Sequence, residues 1–434
     1  MPKTPFELSE NTTFKAVLVG IHDHKAVVAS KDQMFSWKES MRELARLAET
    51  LDFEVVAQVT QEREAPDPQT YVGKGKAREL VETVESEDAA CVVVDGRLSP
   101  TQLRNLEDLT GVEVMDRTDL ILRIFASRAK TAEGKIQVQM AAAQHALARL
   151  TGAGIEMSNP GAGIGTRGPG ETKIEMDRRA LRNRIASLKR ELKRVARHRA
   201  EQTKKRKATG IPLISLVGYT NAGKSTLFNA LTGDEAYADD KLFATLDPWT
   251  RRWQLSGGQV VLLVDTVGFI QGLPHELIAA FRATLEESVD SDLLIHVVDA
   301  SNSAWPQQMA TVHGVLSDLG VDERPRVVCF NKKDRVSPQE LESMLRIHSG
   351  AVAISAVFEE GLDELTRRVV EGLSKKRITV SWHVPYSKWD LVFDIKRVGN
   401  IRSEIHDDEG ALLRVDLLPE DAERLSRKLG IKKK

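Results

Sequence analysis

Cysteine is almost missing from this chain: Cys91 and Cys329 are the only two in 434 residues, far apart and each inside an apolar run, CVVVD and VVCFN. That argues against a disulfide framework or a metal knuckle and predicts two buried strand thiols. Net charge is almost missing as well, because 62 Lys and Arg face 63 Asp and Glu and leave −1. The whole molecule therefore has no pull toward nucleic acid or an anionic membrane, and any basic surface must be local. No apolar run nears the ~18 residues that span a bilayer, and the opening MPKTPFELSENTT lacks the apolar core of a secretory signal. No membrane span is expected, and a cytoplasmic location is. What remains is ordinary: 41% hydrophobic and 29% charged residues suit globular domains. At roughly 100–200 residues per domain the length suits about three of them.

Along residues 1–115, short β-rich runs (AVLVG, AVVAS, FEVVAQV, CVVVD, VEVMD) alternate with helical patterns at 40–51, 76–85 and 101–109, which predicts a small α/β domain with a largely parallel sheet. Residues 116–208 read as an antiparallel helical hairpin. Its first arm is one long helix over 116–150, and its second carries a coiled-coil seam through Ile174, Leu181, Ile185, Leu188, Leu192 and Val195. The connection at 152–170 holds Gly152, Gly154, Gly161, Gly163, Gly165, Gly168 and Gly170 with Pro160 and Pro169, a composition that blocks helix continuation. Helix pairs turn within about 2–8 residues. A recognition loop that orders on a partner is therefore preferred over a flexible connector.

Arg178, Arg179, Arg182, Arg184, Lys189, Arg190, Lys193, Arg194, Arg197, Arg199, Lys204, Lys205, Arg206 and Lys207 follow, against Glu191 and Glu201 alone, a local balance of +12. A plain solvated face mixes signs; a one-sign block of this size suits a phosphate backbone, and nucleic acid is the preferred partner. Strands and helices alternate again over 209–374. Residues 375–434 read strand, helix, two strands, helix, a small α+β domain. The fold class expected is α/β multidomain.

The strongest chemical signal is Gly218-Tyr219-Thr220-Asn221-Ala222-Gly223-Lys224-Ser225-Thr226, which follows the apolar run LISLV and opens a helical segment. That is the P-loop pattern in its required context: backbone N–H groups close around phosphates, Lys224 neutralises β- and γ-phosphate charge, and Ser225 coordinates Mg²⁺. Asn331-Lys332-Lys333-Asp334 follows the strand RVVCF and places a carboxylate where it accepts both the ring N–H and the exocyclic amine of guanine; Ser355-Ala356 after AVAI supports it. The competing reading of Asn331 and Asp334 is a helix-capping turn. Between these motifs, Asp265-Thr266-Val267-Gly268 ends the run VVLLV, with Asp265 on the Mg²⁺ side and the Gly268 N–H toward the γ-phosphate. Upstream, Phe243-Ala244-Thr245 supplies Thr245 as the hydroxyl that reaches Mg²⁺ only in the triphosphate state, which makes the two loops a switch.

Two departures matter. Phe269 stands where many GTPases carry a glutamine that orients the attacking water, so slow intrinsic hydrolysis is expected, raised by a partner. Asn221 stands where related GTPases use an asparagine to help hold a monovalent cation, which makes K⁺ a candidate cofactor beside Mg²⁺. The alternative is that Asn221 stabilises the loop by hydrogen bonding. Lys224, Asn221 and Gly268 are the residues expected nearest the reacting phosphate.

These motifs, together with the stretch GAGIGTRGPGETKIEMDRR at 161–179, YVGKGKA at 71–77 and FATLDP at 243–248, closely resemble the HflX family of translational GTPases over nearly the whole chain. The resemblance implies binding to the large subunit of the bacterial ribosome and its rRNA, and splitting of stalled ribosomes into subunits under stress such as heat. In that picture the hairpin pushes its glycine-rich loop toward the peptidyl transferase centre, and the loop residues are ribosome contacts. A monomer is expected. Some members are reported to bind ATP through the N-terminal region, but Gly73 to Lys76 falls far short of a P-loop, and Gly73 and Gly75 read as a structural turn. Competing readings are a ribosome assembly GTPase acting on immature large subunits, and a GTP-regulated RNA-binding or remodelling protein. A membrane-signalling GTPase is disfavoured by the lack of lipidation or spanning signals.

Overall fold

The computed structural model describes residues 14–22, 37–157, 169–208, 210–233, 242–243, 249–255, 258–271, 290–321, 324–374, 378–417 and 419–430. Met1–Lys193, Lys241–Phe243 and Gln271–Phe281 form one compact unit; Arg194–Asp240, Ala244–Ile270 and Arg282–Lys434 form a second.

In the first unit the Val-rich runs become β1 (Phe14–His22), β2 (Phe53–Glu62), β3 (Cys91–Val94) and β4 (Glu113–Asp116), with α1 (Trp37–Thr50), α2 (Lys74–Glu87) and α3 (Pro100–Thr110) between them. The sheet order is β2-β1-β3-β4 and every pairing is parallel. A parallel sheet is covered on both faces, which is why β3 is a fully buried CVVV run. The run AVVAS at 26–30 lies outside the described residues. Cys91 in β3 and Cys329 are both buried, as expected of strand thiols. Burial pushes both up, Cys91 to about 12, so neither is a ready nucleophile. Tyr71 adopts φ 65° and donates its hydroxyl to the Asp95 carbonyl at 2.7 Å, while the Gly73 N–H donates to Gln61 Oε1 at 2.7 Å. The YVGKG stretch is thus a turn that ties α2 to the sheet.

The single helix expected over 116–150 is two, α4 (Arg117–Arg128) and α5 (Ala132–Met157). Ala129 leaves the helix at ψ 109°, and Thr131 starts the next one, its Oγ1 accepting the Gly134 N–H at 3.0 Å. At the start of α4, Asp116 and Asp119 form a reciprocal capping box. Arg149 from α5 donates to Asp116 Oδ2 at 3.1 Å and to Asp119, and His145 Nε2 lies 3.2 Å from Asp119 Oδ1. Burial raises the pKa of Asp116, helped by its neighbour Asp119; Asp119 is also buried, yet His145 and Arg149 hold it below the usual carboxylate range.

The composition of 152–170 predicts a break at 152, but α5 runs through Gly152 and Gly154 to Met157, and α6 (Pro169–Ala208) starts at Pro169. Each glycine costs ~1 kcal/mol relative to alanine inside a helix, which a helix of 26 residues tolerates. Proline is welcome at a first helical position, where no N–H partner is needed. The remaining loop residues, 158–168, lie outside the described residues. Along α6 the seam is visible: Ile185 and Leu188 are buried and Leu181, Leu192 and Val195 half-buried between exposed neighbours. Arg178 donates to the Leu150 carbonyl and Arg184 to Gln139 Oε1, both at 2.8 Å, so early α6 meets late α5 and the pair is antiparallel.

The second unit holds β5 (Leu213–Gly218), α7 (Lys224–Thr232), β6 (Trp249–Gln254), β7 (Val260–Asp265), β8 (Leu293–Asp299), α8 (Trp305–Asp318), β9 (Arg326–Asn331), α9 (Pro338–Ile347), β10 (Val352–Ala353) and α10 (Leu362–Ser374). The order β10-β9-β8-β5-β7-β6 is parallel except for β6. Strand order reverses beside β5, and the carboxyl ends of β5, β7, β8 and β9 gather there, the place where doubly wound sheets bind ligands. The same unit ends in β11 (Ile378–Pro385), α11 (Asp390–Val398), β12 (Asn400–His406), β13 (Gly410–Leu417) and α12 (Pro419–Leu429), an antiparallel sheet β11-β13-β12 with its own apolar core, the α+β domain that was expected. Among the described residues no helix is long and apolar enough to cross a membrane.

Candidate nucleotide site

The all-buried central strand β5 delivers Gly218 to its carboxyl end, and the chain then loops through Tyr219–Gly223 into α7. Gly223 sits at φ 88°, and a Cβ there would fall 2.2 Å from Asn331 Nδ2, so backbone and neighbour both demand glycine. Lys224 opens α7 and is buried. Its Nζ donates to the Tyr219 carbonyl at 2.8 Å and the Gly218 carbonyl at 3.2 Å, inside the loop it must serve. Burial lowers its pKa to about 8 against the opposing pull of Asp265.

Ser225 Oγ donates to Asp265 Oδ2 at 2.7 Å, bringing the P-loop hydroxyl and the carboxylate at the end of β7 into contact. A hydroxyl and a carboxylate are hard oxygen donors, and the pair fits Mg²⁺. Thr266 Oγ1 turns inward to the Leu216 carbonyl at 2.5 Å, which pins the end of β7 to β5. Gly268 lies directly over the P-loop: a Cβ on it would be 2.9 Å from Thr220 Cα and 3.0 Å from Lys224 Nζ. The next residue locks this arrangement, because the Thr220 N–H donates to the Phe269 carbonyl at 2.8 Å and the Phe269 N–H donates to the Gly218 carbonyl at 3.1 Å. Phe269 is buried and holds no group that could orient a water.

At the end of β9, Asn331 is a brace and not a helix cap: Nδ2 donates to the Ala222 carbonyl at 2.9 Å, and Oδ1 accepts the Ala356 N–H at 3.0 Å. Lys332, at φ 62°, donates to the Asn221 carbonyl and to Asp299 Oδ2, each at 2.8 Å. Ser355 Oγ donates to Asp334 Oδ1 at 2.6 Å and so orients that carboxylate. Lys333 turns to Glu360 at 2.9 Å. Three separated motifs are therefore brought together, with the P-loop bonded to the Asn331–Asp334 segment through the carbonyls of Asn221 and Ala222. Asp299 was missed in the sequence. Its signal was available, since it ends the apolar run LLIHVVD as Asp265 ends VVLLV.

Thr226 is half-buried on α7 and Val267 is buried, and neither is tied to the cluster by a hydrogen bond that defines its role. Phe243 packs instead on Phe125, in the first unit, with ring centroids 4.6 Å apart. Ala244 and Thr245 lie outside the described residues.

Three family models match the chain: "GTP-binding GTPase N-terminal" over residues 38–126, "GTP-binding GTPase Middle Region" over 128–206 and "50S ribosome-binding GTPase" over 213–332. The GTPase HflX of Caldanaerobacter subterraneus subsp. tengcongensis is 44% identical over 400 residues, covering 92% of this chain and 91% of that protein. The GTPase HflX of Escherichia coli (strain K12) is 40% identical over 376 residues, covering 86% and 88%. A solved GTP-binding protein from the archaeon Sulfolobus solfataricus, in complex with GDP, is 24% identical with a TM-score of 0.45, over 83% of this chain and 99% of that one. Identity at the level of the first two, over most of both sequences, makes this chain a member of the HflX family of GTPases, enzymes that hydrolyse GTP.

Proposed function

We propose that this GTPase binds the large subunit of the bacterial ribosome in its GTP state and splits stalled ribosomes into subunits, with hydrolysis resetting it. The observation that carries the reading is the second arm of the hairpin. Arg179, Arg182, Arg184, Lys189, Arg190, Lys193 and Arg194 are all exposed on α6, while its apolar seam faces inward. Against them Glu175, Asp177, Glu191 and Glu201 are also exposed, so the helix presents a strong excess of positive charge to solvent, and it follows a loop of small residues, the combination that suits an rRNA cavity. The description "50S ribosome-binding GTPase", printed for the family model over 213–332, points the same way. The hairpin is read as residues 116–208, between an α/β domain at 1–115 and a GTPase domain at 209–374, with 375–434 as a separate small domain.

At the nucleotide, Lys224 neutralises phosphate charge, and the N–H groups from Gly218 to Thr226 line the phosphates. Asp334 accepts the two guanine donors, with Ser355 and Ala356 closing that end, and Lys332 and Asn331 hold the loop. Ser225, Asp265 and Thr245 would hold Mg²⁺, which supplies charge neutralisation between the β- and γ-phosphates. Gly268 offers its N–H to the γ-phosphate, flanked by Thr266 and Val267. Phe269 contributes no proton chemistry, so turnover of the free protein is slow. Asn221 would help hold K⁺, which would add positive charge at the phosphates; equal rates in potassium and sodium would remove that role.

Sedimentation tests the proposal. Intact ribosomes mixed with the protein and a non-hydrolysable GTP analogue should convert to subunits, and those mixed with protein and GDP should not. Stable binding without conversion would favour the assembly reading instead.

A further inference from the structure

Four charged or polar side chains meet between α4 and α5, all within the first compact unit. Asp116 and Asp119 stand three apart at the start of α4, and His145 and Arg149 stand four apart on α5, spacings that put each pair on one helix face. Asp116 is wholly buried and His145 is 5% exposed. The two carboxylates divide their oxygens. Arg149 donates to Oδ2 of each, while the Oδ1 atoms lie toward His145, 3.8 Å from its Nε2 for Asp116 and 3.2 Å for Asp119. Despite that closeness, the buried His145 Nε2 makes no hydrogen bond among the described residues.

We propose that Asp116 Oδ1, Asp119 Oδ1 and His145 Nε2 bind a divalent first-row transition ion such as Zn²⁺, with Arg149 fixing the two carboxylates from behind. Spacing supports this. An ion bonded to oxygen and nitrogen at ~2.0–2.2 Å holds its ligand atoms about 3.0–3.4 Å apart. The Asp119–His145 distance of 3.2 Å falls inside that range, and the Asp116–His145 distance of 3.8 Å needs only a small side-chain rotation. Charge points the same way, because two carboxylates against one guanidinium leave negative charge out of water, which is costly until a second cation joins. An imidazole donor argues against Mg²⁺ and Ca²⁺, which prefer oxygen alone. Among the described residues no other three His, Cys, Asp or Glu side chains offer ligand atoms within 4.8 Å of one another. Three protein donors leave coordination positions for water. Asp119, His145 and Arg149 also line a cavity of about 790 Å³ between α4, α5 and α6, which gives the ion and its waters a way in.

The test is metal binding by the full chain, stripped with a chelator and then saturated with Mg²⁺ and GDP so that the nucleotide site is filled. Co²⁺ serves as the coloured probe. The wild type should take up one Co²⁺ per chain with a visible absorption band, and one equivalent of Zn²⁺ should abolish that band. His145→Gln should lose the band and bind Zn²⁺, measured against a chelating indicator, at least tenfold more weakly, since even the outer partners of a metal ligand are worth about ten- to a hundredfold. Asp119→Asn should weaken Zn²⁺ likewise while keeping an oxygen to accept the Asp116 N–H, so that a capping defect is not mistaken for loss of the ion. It is also the milder change, and it keeps the test standing if His145→Gln does not fold, which circular dichroism reports. A wild type that shows no band at one equivalent overturns the proposal and leaves His145 as an ion-pair partner of Asp119. Equal Zn²⁺ affinity in the wild type and the folded variants overturns it as well, and marks an adventitious ion only.

Discussion

Lys224 is buried inside its own loop. Loss of water around the amine lowers its pKa to about 8, against the opposing pull of Asp265. Phosphate oxygens favour the charged form and raise the pKa in the complex. Above pH 8, binding must therefore take up a proton. Nucleotide affinity should be flat below pH 8 and fall by up to tenfold per unit above it. Calorimetric titrations with GDP at pH 7 and pH 9, in buffers of different ionisation enthalpy, should show proton uptake only at the higher pH; none at pH 9 would contradict the assignment. At this scale the sequence was legible where chemistry demands fixed spacing. Lys224, Asp265 and Asp334 were singled out by motif spacing, and the structure puts Lys224 inside the loop, Asp265 against Ser225 and Asp334 against Ser355. Asp299 was not, although it ends the apolar run LLIHVVD; the structure shows what that strand-end carboxylate does, since Lys332 reaches it at 2.8 Å. Phe243, read with its neighbours as nucleotide-binding, is held by an aromatic partner 118 positions earlier, a distance no local pattern crosses.

At the scale of elements, the capping box of α4 carries more than a helix start. Asp116 is wholly buried, accepts the Asp119 N–H at 2.9 Å and the Leu98 N–H at 3.3 Å, and receives Arg149 from α5. Asp116→Ala removes the cap and leaves a partly buried guanidinium with half its anionic partners. The expected loss is about 3 kcal/mol, read as a lower midpoint in equilibrium denaturation; a loss under about 1 kcal/mol would show that the network is peripheral. The same region explains what the sequence concealed. Apolar periodicity runs on through Ala129 and Thr131, so pattern alone gives one helix, and the interruption comes from a threonine cap that looks like any other polar residue. The opposite error occurs at Gly152 and Gly154, where composition predicts a stop that the long helix overrides. The parallel sheets were easier, because CVVVD, LISLV and VVCFN are buried on both faces and leave no other reading.

For the whole molecule, the charge balance of −1 hides a strongly basic helix, and the proposed ribosome binding rests on that asymmetry. Replacing Lys189, Arg190, Lys193 and Arg194 by Gln removes four exposed cations without touching the seam. If each neutralises a phosphate, ribosome binding should weaken and its logarithmic salt slope should drop by about 3; an unchanged slope would mean that this face does not meet RNA. The central claim joins the nucleotide engine to the hairpin. Light scattering of intact ribosomes mixed with excess protein and a GTP analogue should fall as subunits separate. A variant with 158–168 replaced by a short turn should bind with its basic helix intact and leave the scattering unchanged. Splitting by that variant at the wild-type rate would contradict the account.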